Sequence, residues 1–357
     1  MFKLKCDDFL IYDEATGTYS MPAEQQVRDE TEKNRWKSTG WTILKDWRLY
    51  LMLVPMIFVY ICWKYLPMYE LMAAFKYGEQ NLAAERDWVG IASFVNIFAG
   101  ANSLEFWRAF RNTFIISFYG LLFGFPTPII LALFFNEIKS NITRSVIQVC
   151  VYLPKFLSTV IVTSLTVVLF RGYTNPTAKE GAGVISQLLG KLSNSSVLQS
   201  RIGTGLVYSS EYFRAIYQIT GIWEHAGYDS IVFFAAVIAV SPTSYEAAQI
   251  DGAGKMAQMR YVVIPSILST VIIMLIMKIG SLLSVGYEKI YLLSPTESHY
   301  ANYNVADVVS TWSNYRGEYT YDQGYAIAGE MTNNLIGMIL VIGANTIARK
   351  VSDVSLY

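Results

Sequence analysis

Charged residues are scarce in this chain of 357 residues. Asp, Glu, Lys and Arg together make up 16% of it, whereas soluble domains usually carry about 25%. Acidic and basic residues number 28 each, so the net charge is zero and gives no electrostatic reason to expect a nucleic acid partner. The mean hydropathy is positive, at +0.32. An ordinary soluble domain is therefore excluded.

Cysteine and histidine are also rare. The three cysteines, Cys6, Cys62 and Cys150, are far apart, and the two histidines are His225 and His299. These spacings fit neither a disulfide framework nor a set of metal ligands. The sequence therefore predicts no metal site and no cofactor.

Long apolar runs dominate what remains. A helix needs about 20 mainly apolar residues to cross the hydrocarbon core of a membrane. Six such runs are present. The fourth is the weakest, because it contains Glu224, His225 and Asp229, and the sixth can extend back to Gln323 if Glu330 is admitted. The sequence predicts an all-α membrane protein with six transmembrane helices, over Leu49–Tyr69, Asn112–Asn136, Ser145–Phe170, Ile219–Ser241, Tyr261–Tyr287 and Met331–Ala348.

The distribution of Lys and Arg predicts the orientation. With the N-terminus inside, the inner segments 28–48, 136–144, 242–260 and 349–357 carry Lys and Arg at more than twice the density of the outer segments. Both termini are then cytoplasmic. We expect three parts: a cytoplasmic extension at 1–48 with an amphipathic, Trp-containing lead-in and no signal peptide, a membrane domain at 49–348, and a cytoplasmic tail at 349–357.

A polar loop separates the fourth and fifth runs. Residues Ser244–Pro265 read SYEAAQIDGAGKMAQMRYVVIP, and the predicted orientation places them in the cytoplasm. The GAGK tetrapeptide resembles part of a phosphate-binding loop. However, the positions that would require Gly and Ser or Thr hold Gln249 and Met256. The loop therefore gives the chain no ATP site of its own.

The residues of this loop predict a short helix, a bend and a second helix. Thr243 and Glu246 have the spacing of a capping box at a helix start. Gly252 and Gly254 can adopt the left-handed conformation that ends a helix, and Pro265 restricts the residue before it at the entry to the next helix. A short helix with alanines in its middle can fit closely into a groove of another protein.

The same loop resembles the EAA signature of importer-type permeases of ATP-binding-cassette (ABC) transporters. In that family Glu-Ala-Ala is followed after three residues by Gly and, nine residues later, by I-x-L-P. Here Glu246–Ala248 precedes Gly252 at that spacing, and Val262, Ile264 and Pro265 occupy the later positions. The resemblance implies a type I ABC importer permease fold in which the loop 242–265 holds a coupling helix. The ATPase-coupling residues that it implies are Glu246, Ala247, Ala248, Asp251, Gly252, Gly254 and Pro265.

Other segments are similar to the carbohydrate-importing branch of this family, particularly its lipo-oligosaccharide and polysaccharide permeases. They include LVPMIFVYICWKYLPMYELMAAFKYGE, YLPKFLSTVI and GYEKIYLLSP. The resemblance implies a non-enzymatic permease in a bacterial cell membrane. Its implied partners are a second homologous permease in a heterodimer, two cytoplasmic ABC ATPase subunits, an extracellular solute-binding protein and a sugar substrate.

Polar and aromatic residues in or near the membrane runs are candidates for a substrate path. A central charge costs about 2.5–3.5 kcal/mol on insertion scales, so Glu330 should have a partner or line water, and the family has an apolar residue there. Rings stack on sugars but are also enriched at membrane boundaries, and a carboxylate at the boundary needs no substrate. Both interpretations stay open for the candidates Trp223, His225, Tyr228, Asp229, Glu288, Glu330 and Asn333.

The sequence thus predicts the permease subunit of an ATP-driven, binding-protein-dependent importer of sugars, with oligosaccharides the expected substrates. Two alternatives remain. One is the same architecture with a non-sugar solute such as a peptide. The other is a secondary transporter, which would show internal repeats that this sequence lacks. Gly120 and Gly124 form a G-x-x-x-G pattern that permits close packing, either against the second permease or within the chain.

Overall fold

The structure is a computed structural model that describes residues 11–13, 18–20, 47–77, 87–101, 103–173, 181–192, 199–202, 205–293, 304–318 and 323–351. The chain divides into two compact units, Met1–Glu70 and Leu71–Tyr357. Most of the predicted lead-in, residues 28–46, lies outside the described residues, as does the tail from residue 352. The predicted boundaries at residues 48 and 348 stay predictions.

The first unit holds a short hairpin and the start of the first apolar helix. Strands β1, Ile11–Asp13, and β2, Thr18–Ser20, pair antiparallel, around a turn that the sequence favours. Helix α1, Trp47–Tyr60, continues as a π-helical turn over Ile61–Tyr65 and a 3₁₀ helix over Leu66–Phe75. Its most apolar window has no buried side chain, as expected of a helix that faces lipid or another protein.

In the residues described, the regular structure of the second unit is helical apart from one two-stranded ribbon, β3 (Lys76–Tyr77) with β4 (Asp87–Trp88), which the sequence did not predict. Two short helices, α2 (Ala92–Ala99) and α7 (Val184–Leu192), lie in predicted outer segments. The other helices are α3 (Ser103–Tyr119), α4 (Pro126–Glu137), α5 (Asn141–Tyr152), α6 (Thr159–Phe170), α8 (Ser210–Ile238), α9 (Pro242–Ile250), α10 (Lys255–Gln258), α11 (Ile264–Gly280), α12 (Tyr287–Leu293), α13 (Val309–Glu318) and α14 (Gln323–Val351).

Every predicted apolar run falls on a helix or a pair of helices. Within the part of the chain that the structure describes, four continuous helical segments are long and apolar enough to cross a membrane: Tyr50–Phe75, Ser103–Glu137, Lys255–Gly280 and Gln323–Lys350. Two bent pairs raise the number to six if each pair is one span. The predicted all-α membrane architecture is confirmed. The fifth run was predicted too long, because its helix ends at Gly280 rather than at Tyr287.

The third run is not the single helix that its composition predicts. Helix α5 continues into a 3₁₀ turn, Leu153–Phe156, and α6 then leaves at 98°. Pro154 lies in that turn, Leu157 is extended, and the Ser158 side chain accepts a hydrogen bond from the Ile161 amide at 3.4 Å. A serine cap therefore starts a new helix inside an apolar run.

Three π-helical turns share one cause. They cover Ile61–Tyr65, Gly120–Gly124 and Met259–Val263, and each ends two residues before a proline, at positions 67, 126 and 265. Proline has no amide hydrogen, and its ring clashes with the carbonyl four residues earlier. That carbonyl lies inside the π turn in all three cases, so the wider turn relieves the clash without breaking the span.

Three apolar clusters hold the second unit together. One joins α3, α8, α12 and residues 306–308 around Phe213, and another joins α2, α3, α13 and α14 around Phe106 and Trp312. The third packs the end of α8 against the start of α11 through Val237, Val240, Val263 and Ile267. This last cluster fixes the base of the polar loop.

Candidate functional site

The polar loop forms a short exposed helix, α9, whose start differs from the prediction. Its N-cap is Ser241, Pro242 is in the first turn, and no side chain caps the helix. The Thr243 hydroxyl instead lies 2.7 Å from the Ser241 hydroxyl. Proline at the first helical position is already shaped for a helix, so the helix begins before Thr243 and the predicted capping box of Thr243 and Glu246 is wrong.

The end of α9 follows the prediction for one glycine and not for the other. Gly252 has φ +76°, and the amides of Gly252 and Ala253 donate to the carbonyls of Gln249 and Ala248 at 3.0 and 2.8 Å. This is the Schellman pattern, in which a left-handed residue closes the helix. Gly254 has φ −67° and ψ 168° and caps the start of α10. The predicted left-handed Gly254 is therefore wrong.

The segment formed by α9 and α10 is anchored at two points, one on each helix. Tyr245 packs against the cluster of Val237 and Ile267, and the Lys255 ammonium forms an ion pair with Glu137 at the end of α4. A displacement of α9 would therefore be transmitted to α4, α8 and α11. The residue that ends α9, Asp251, is exposed on this same loop.

The free face of α9 mixes charge with apolar surface. Glu246 and Ala247 are exposed, Ala248 is half-buried, and Ile250 is 87% exposed. Met256 just beyond is 75% exposed. Beside Glu246 lies an open groove of about 520 Å³, whose walls include Asn136, Arg144, Tyr245 and Gln249. Exposed apolar surface beside polar groups is typical of a protein-binding site.

The other candidate region consists of two adjoining cavities. One, between α3, α8 and the end of α11, holds about 280 Å³ and is lined by Ser117, Gln218, His225, Asp229 and Lys278, among others. A second cavity of about 350 Å³ continues beside it, between α4, α8 and α11. Gly124, Asp229, Lys278 and Ser281 line both cavities and so form the boundary between them.

Only His225 and Asp229 of the predicted path residues line these cavities. Trp223, Tyr228 and Glu288 are exposed outside them, and the Tyr228 ring contacts Phe156 edge-on at 6.2 Å. Asn333 is buried, with its amide donating to the Leu283 carbonyl at 2.9 Å. Glu330 is half-buried and hydrogen-bonds Ser313, so it has the partner that the sequence required.

Lys278 is a cavity residue that sequence reasoning missed. It interrupts the fifth apolar run as its lone charge, and a lone charge in a membrane run is itself a signal of function. The glycines of the G-x-x-x-G pattern also lie at the cavity. A side chain at Gly120 or Gly124 would meet Gln218 or Ile222 of α8, which favours packing within the chain over packing against a second permease.

A helical protein with four to six candidate membrane spans and an exposed helix between two of its later spans has the architecture of the membrane subunit of a transporter. The sequence comparison agrees. Residues 124–286 match the family of binding-protein-dependent transport system inner membrane components, and the chain belongs to this family.

Similar proteins cover almost the whole chain. Protein LplB of Bacillus subtilis (strain 168) is 33% identical over 94% of this chain and 100% of its own length. The polygalacturonan/rhamnogalacturonan transport system permease YteP of the same strain is 32% identical over 96% of this chain and 99% of its own. One chain of a solved bacterial alginate ABC transporter, in complex with an alginate pentasaccharide-bound periplasmic protein, is also similar. The match covers 88% of this chain and 98% of that chain, with a TM-score of 0.74 and 34% sequence identity.

Proposed function

We propose that this chain is the membrane subunit of an ATP-driven importer that receives oligosaccharides from a solute-binding protein. The observation that carries the proposal is the exposed helix α9, anchored to three spans while Glu246 and Ile250 stay free. Such a helix can seat in a partner and transmit its movement into the membrane. The saccharide substrates named for YteP and the alginate transporter support the choice of solute.

The geometry links the docking helix to the cavities. The ion pair of Lys255, at the start of α10, with Glu137 ties the loop to α4, and the cluster around Tyr245 packs α9 against α8 and α11. These spans, with α3, also form the cavity walls. Closure of the ATPase subunits would push α9 and rock the spans, so the cavities would open alternately to the two sides of the membrane. This is a two-state element that ATP and the loaded binding protein both bias.

The proposal requires partners. A second, homologous permease would complete the path in a heterodimer, and two cytoplasmic ATPase subunits would hydrolyse ATP because this chain has no phosphate-binding loop. An extracellular binding protein would deliver the saccharide. The periplasmic protein in the alginate transporter complex supports this last partner.

Glu246→Gln tests the docking role. Because no side chain caps α9, Gln should leave the helix intact and remove only the charge. Loss of a hydrogen bond to a charged group costs about 1.5–3 kcal/mol, so ATPase docking should weaken by about tenfold or more. Uptake and transport-stimulated ATP hydrolysis should fall together in reconstituted complexes.

Ser244→Ala is the matched control, since Ser244 is exposed on the same helix and carries no charge. It should transport at the parental rate. Ala247→Trp should fail as Glu246→Gln does, because a large ring would prevent α9 from entering the groove of the partner ATPase. Parental uptake by Glu246→Gln, with the ATPase fully bound, would show that the carboxylate has no part in docking.

A further inference from the structure

The boundary between the two cavities has an unusual charge arrangement. Asp229 of α8 and Lys278 of α11 line both cavities, yet they form no ion pair with each other at 4.0 Å or less within the described ranges. Two opposite charges face the same space and remain separate. An inference about the solute that would occupy this space rests on the proposed function.

Lys278 lacks any side-chain partner among the residues that the structure describes. Lys289, by contrast, is paired with Glu224 at 3.0 Å. An unpaired cation inside an apolar run is costly unless it meets water or an anion. The cavity of about 280 Å³ is large enough to hold water around the ammonium, and an anionic group on a solute could take the place of that water.

The rest of the lining suits a sugar that carries such a group. Ser284 offers a hydroxyl and Gln218 an amide oxygen to the cavity, while the Gln218 amide nitrogen donates to the Ile116 carbonyl at 2.6 Å. Both groups can exchange hydrogen bonds with sugar hydroxyls. One to two turns from the cavity on α3, the exposed Arg111 lies close enough to Arg214 for their charges to interact. The lining itself holds one ammonium, Lys278, and one carboxylate, Asp229, and the two arginines add positive charge beyond it.

We propose that the cavities take an acidic oligosaccharide built of uronic acid residues. Lys278 pairs with a uronate carboxylate, and Asp229, across the boundary, accepts hydrogen bonds from the hydroxyls of the same or the next sugar. A sugar that has both groups satisfies both charges, which a neutral sugar cannot do. The polygalacturonan named for YteP and alginate, described as an acidic polysaccharide, have this chemistry.

The test is uptake into proteoliposomes that hold the whole complex, with its binding protein outside and ATP inside. The probes are galacturonate and alginate pentasaccharides, their carboxyl-reduced neutral counterparts, and a panel of neutral oligosaccharides. Lys278→Gln should lower uronide uptake by about tenfold or more, because a charge-assisted bond is lost. Lys278→Arg should keep most of the uptake, since it keeps the charge.

Lys64→Gln is the matched control, because Lys64 is likewise a lone charge in an apolar run but does not line the cavities. It should leave uronide uptake unchanged, whereas Lys278→Gln should lower uptake of the uronide pentasaccharides by a larger factor than uptake of any transported neutral probe. Uronide uptake that survives Lys278→Gln overturns the inference. Uptake of neutral sugars alone overturns it while saccharide import stands, and uptake of no saccharide overturns both.

Discussion

The carboxylate of Glu224 and the ammonium of Lys289 lie 3.0 Å apart, with only 7% and 11% of their side chains exposed. The pair joins α8 to the short helix α12, and Lys289 also lies over the Tyr217 ring at 5.3 Å. Burial lowers the pKa of Lys289, and the neighbouring Glu224 opposes that shift. A buried pair of this kind is costly to break from one side, because the remaining charge is left without a partner.

Glu224→Gln should therefore destabilise the complex strongly, by about 3–5 kcal/mol, seen as a lower unfolding temperature in detergent. Removing both charges in Glu224→Gln/Lys289→Met should recover much of the loss. Glu211→Gln is the control, since its pair with Arg201 is about half exposed and should be worth at most about 1 kcal/mol. Equal effects at the two sites would contradict the structural role of the buried pair.

The helix runs could be predicted because membrane length imposes a simple rule on composition. The break at Ser158 and the start of α9 at Pro242 could not be predicted, because each depends on one serine or proline that acts through local backbone geometry. The π turns belong to the same class. Their signal in the sequence is a proline inside a long apolar run, as at Pro126 and Pro265.

The two glycines at the end of α9 should respond differently to alanine. Gly252 is left-handed, and this conformation costs a residue with a side chain about 1–2 kcal/mol. Gly252→Ala should loosen the end of α9 and weaken ATPase docking. Gly254 has an ordinary conformation and open space around it, so Gly254→Ala should be neutral. The measurement is the docking affinity of the ATPase for each variant. Equal losses of affinity would mean that the left-handed conformation of Gly252 is not the reason for weaker docking.

Asp307 makes the stability of the predicted outer segment depend on pH. Its side chain is buried, Thr311 donates to one carboxylate oxygen at 2.7 Å, and the other oxygen has no partner among the described residues. Burial raises the pKa of Asp307 from 3.8 to about 6. The folded state thus binds the proton more tightly than the unfolded state, and this stabilisation is lost as pH rises through about 6.

The unfolding temperature of the parental complex should therefore fall between pH 5 and pH 7. Asp307→Asn cannot ionise and can still accept from Thr311, so most of that fall should disappear. Thermal scans of both proteins at a series of pH values provide the measurement. An unchanged slope in the Asn variant would assign the pH dependence to other groups.

Orientation rests on the sequence, and chemical labelling tests it. The exposed Lys191 of α7 lies in the long predicted outer segment and provides a labelling position there. In a variant with Cys6, Cys62 and Cys150 replaced by Ser, Lys191→Cys should react with an impermeant thiol reagent in intact cells. Met256→Cys should react only after the cells are opened. The reverse pattern would place α9 on the wrong side for an ATPase.

The candidate path was only partly accessible to sequence reasoning. His225 and Asp229 were found because a charge in an apolar run is conspicuous, and the same rule applied to Lys278 would have found it too. That Asn333 contacts a backbone carbonyl, and that Glu288 is exposed away from the cavities, depends on how distant spans pack. A single sequence does not specify that packing.

In the proposed function, this chain imports saccharide because an ATPase moves α9. The most direct test of that function is uptake of radiolabelled oligosaccharide by proteoliposomes that contain the complex purified through a tag on this chain. Uptake against a gradient should require ATP on the side of α9 and the binding protein on the other side, and should persist when ionophores collapse the ion gradients. Accumulation that needs no ATP and stops with the ionophores, or a purified complex that lacks an ATPase, would contradict the account.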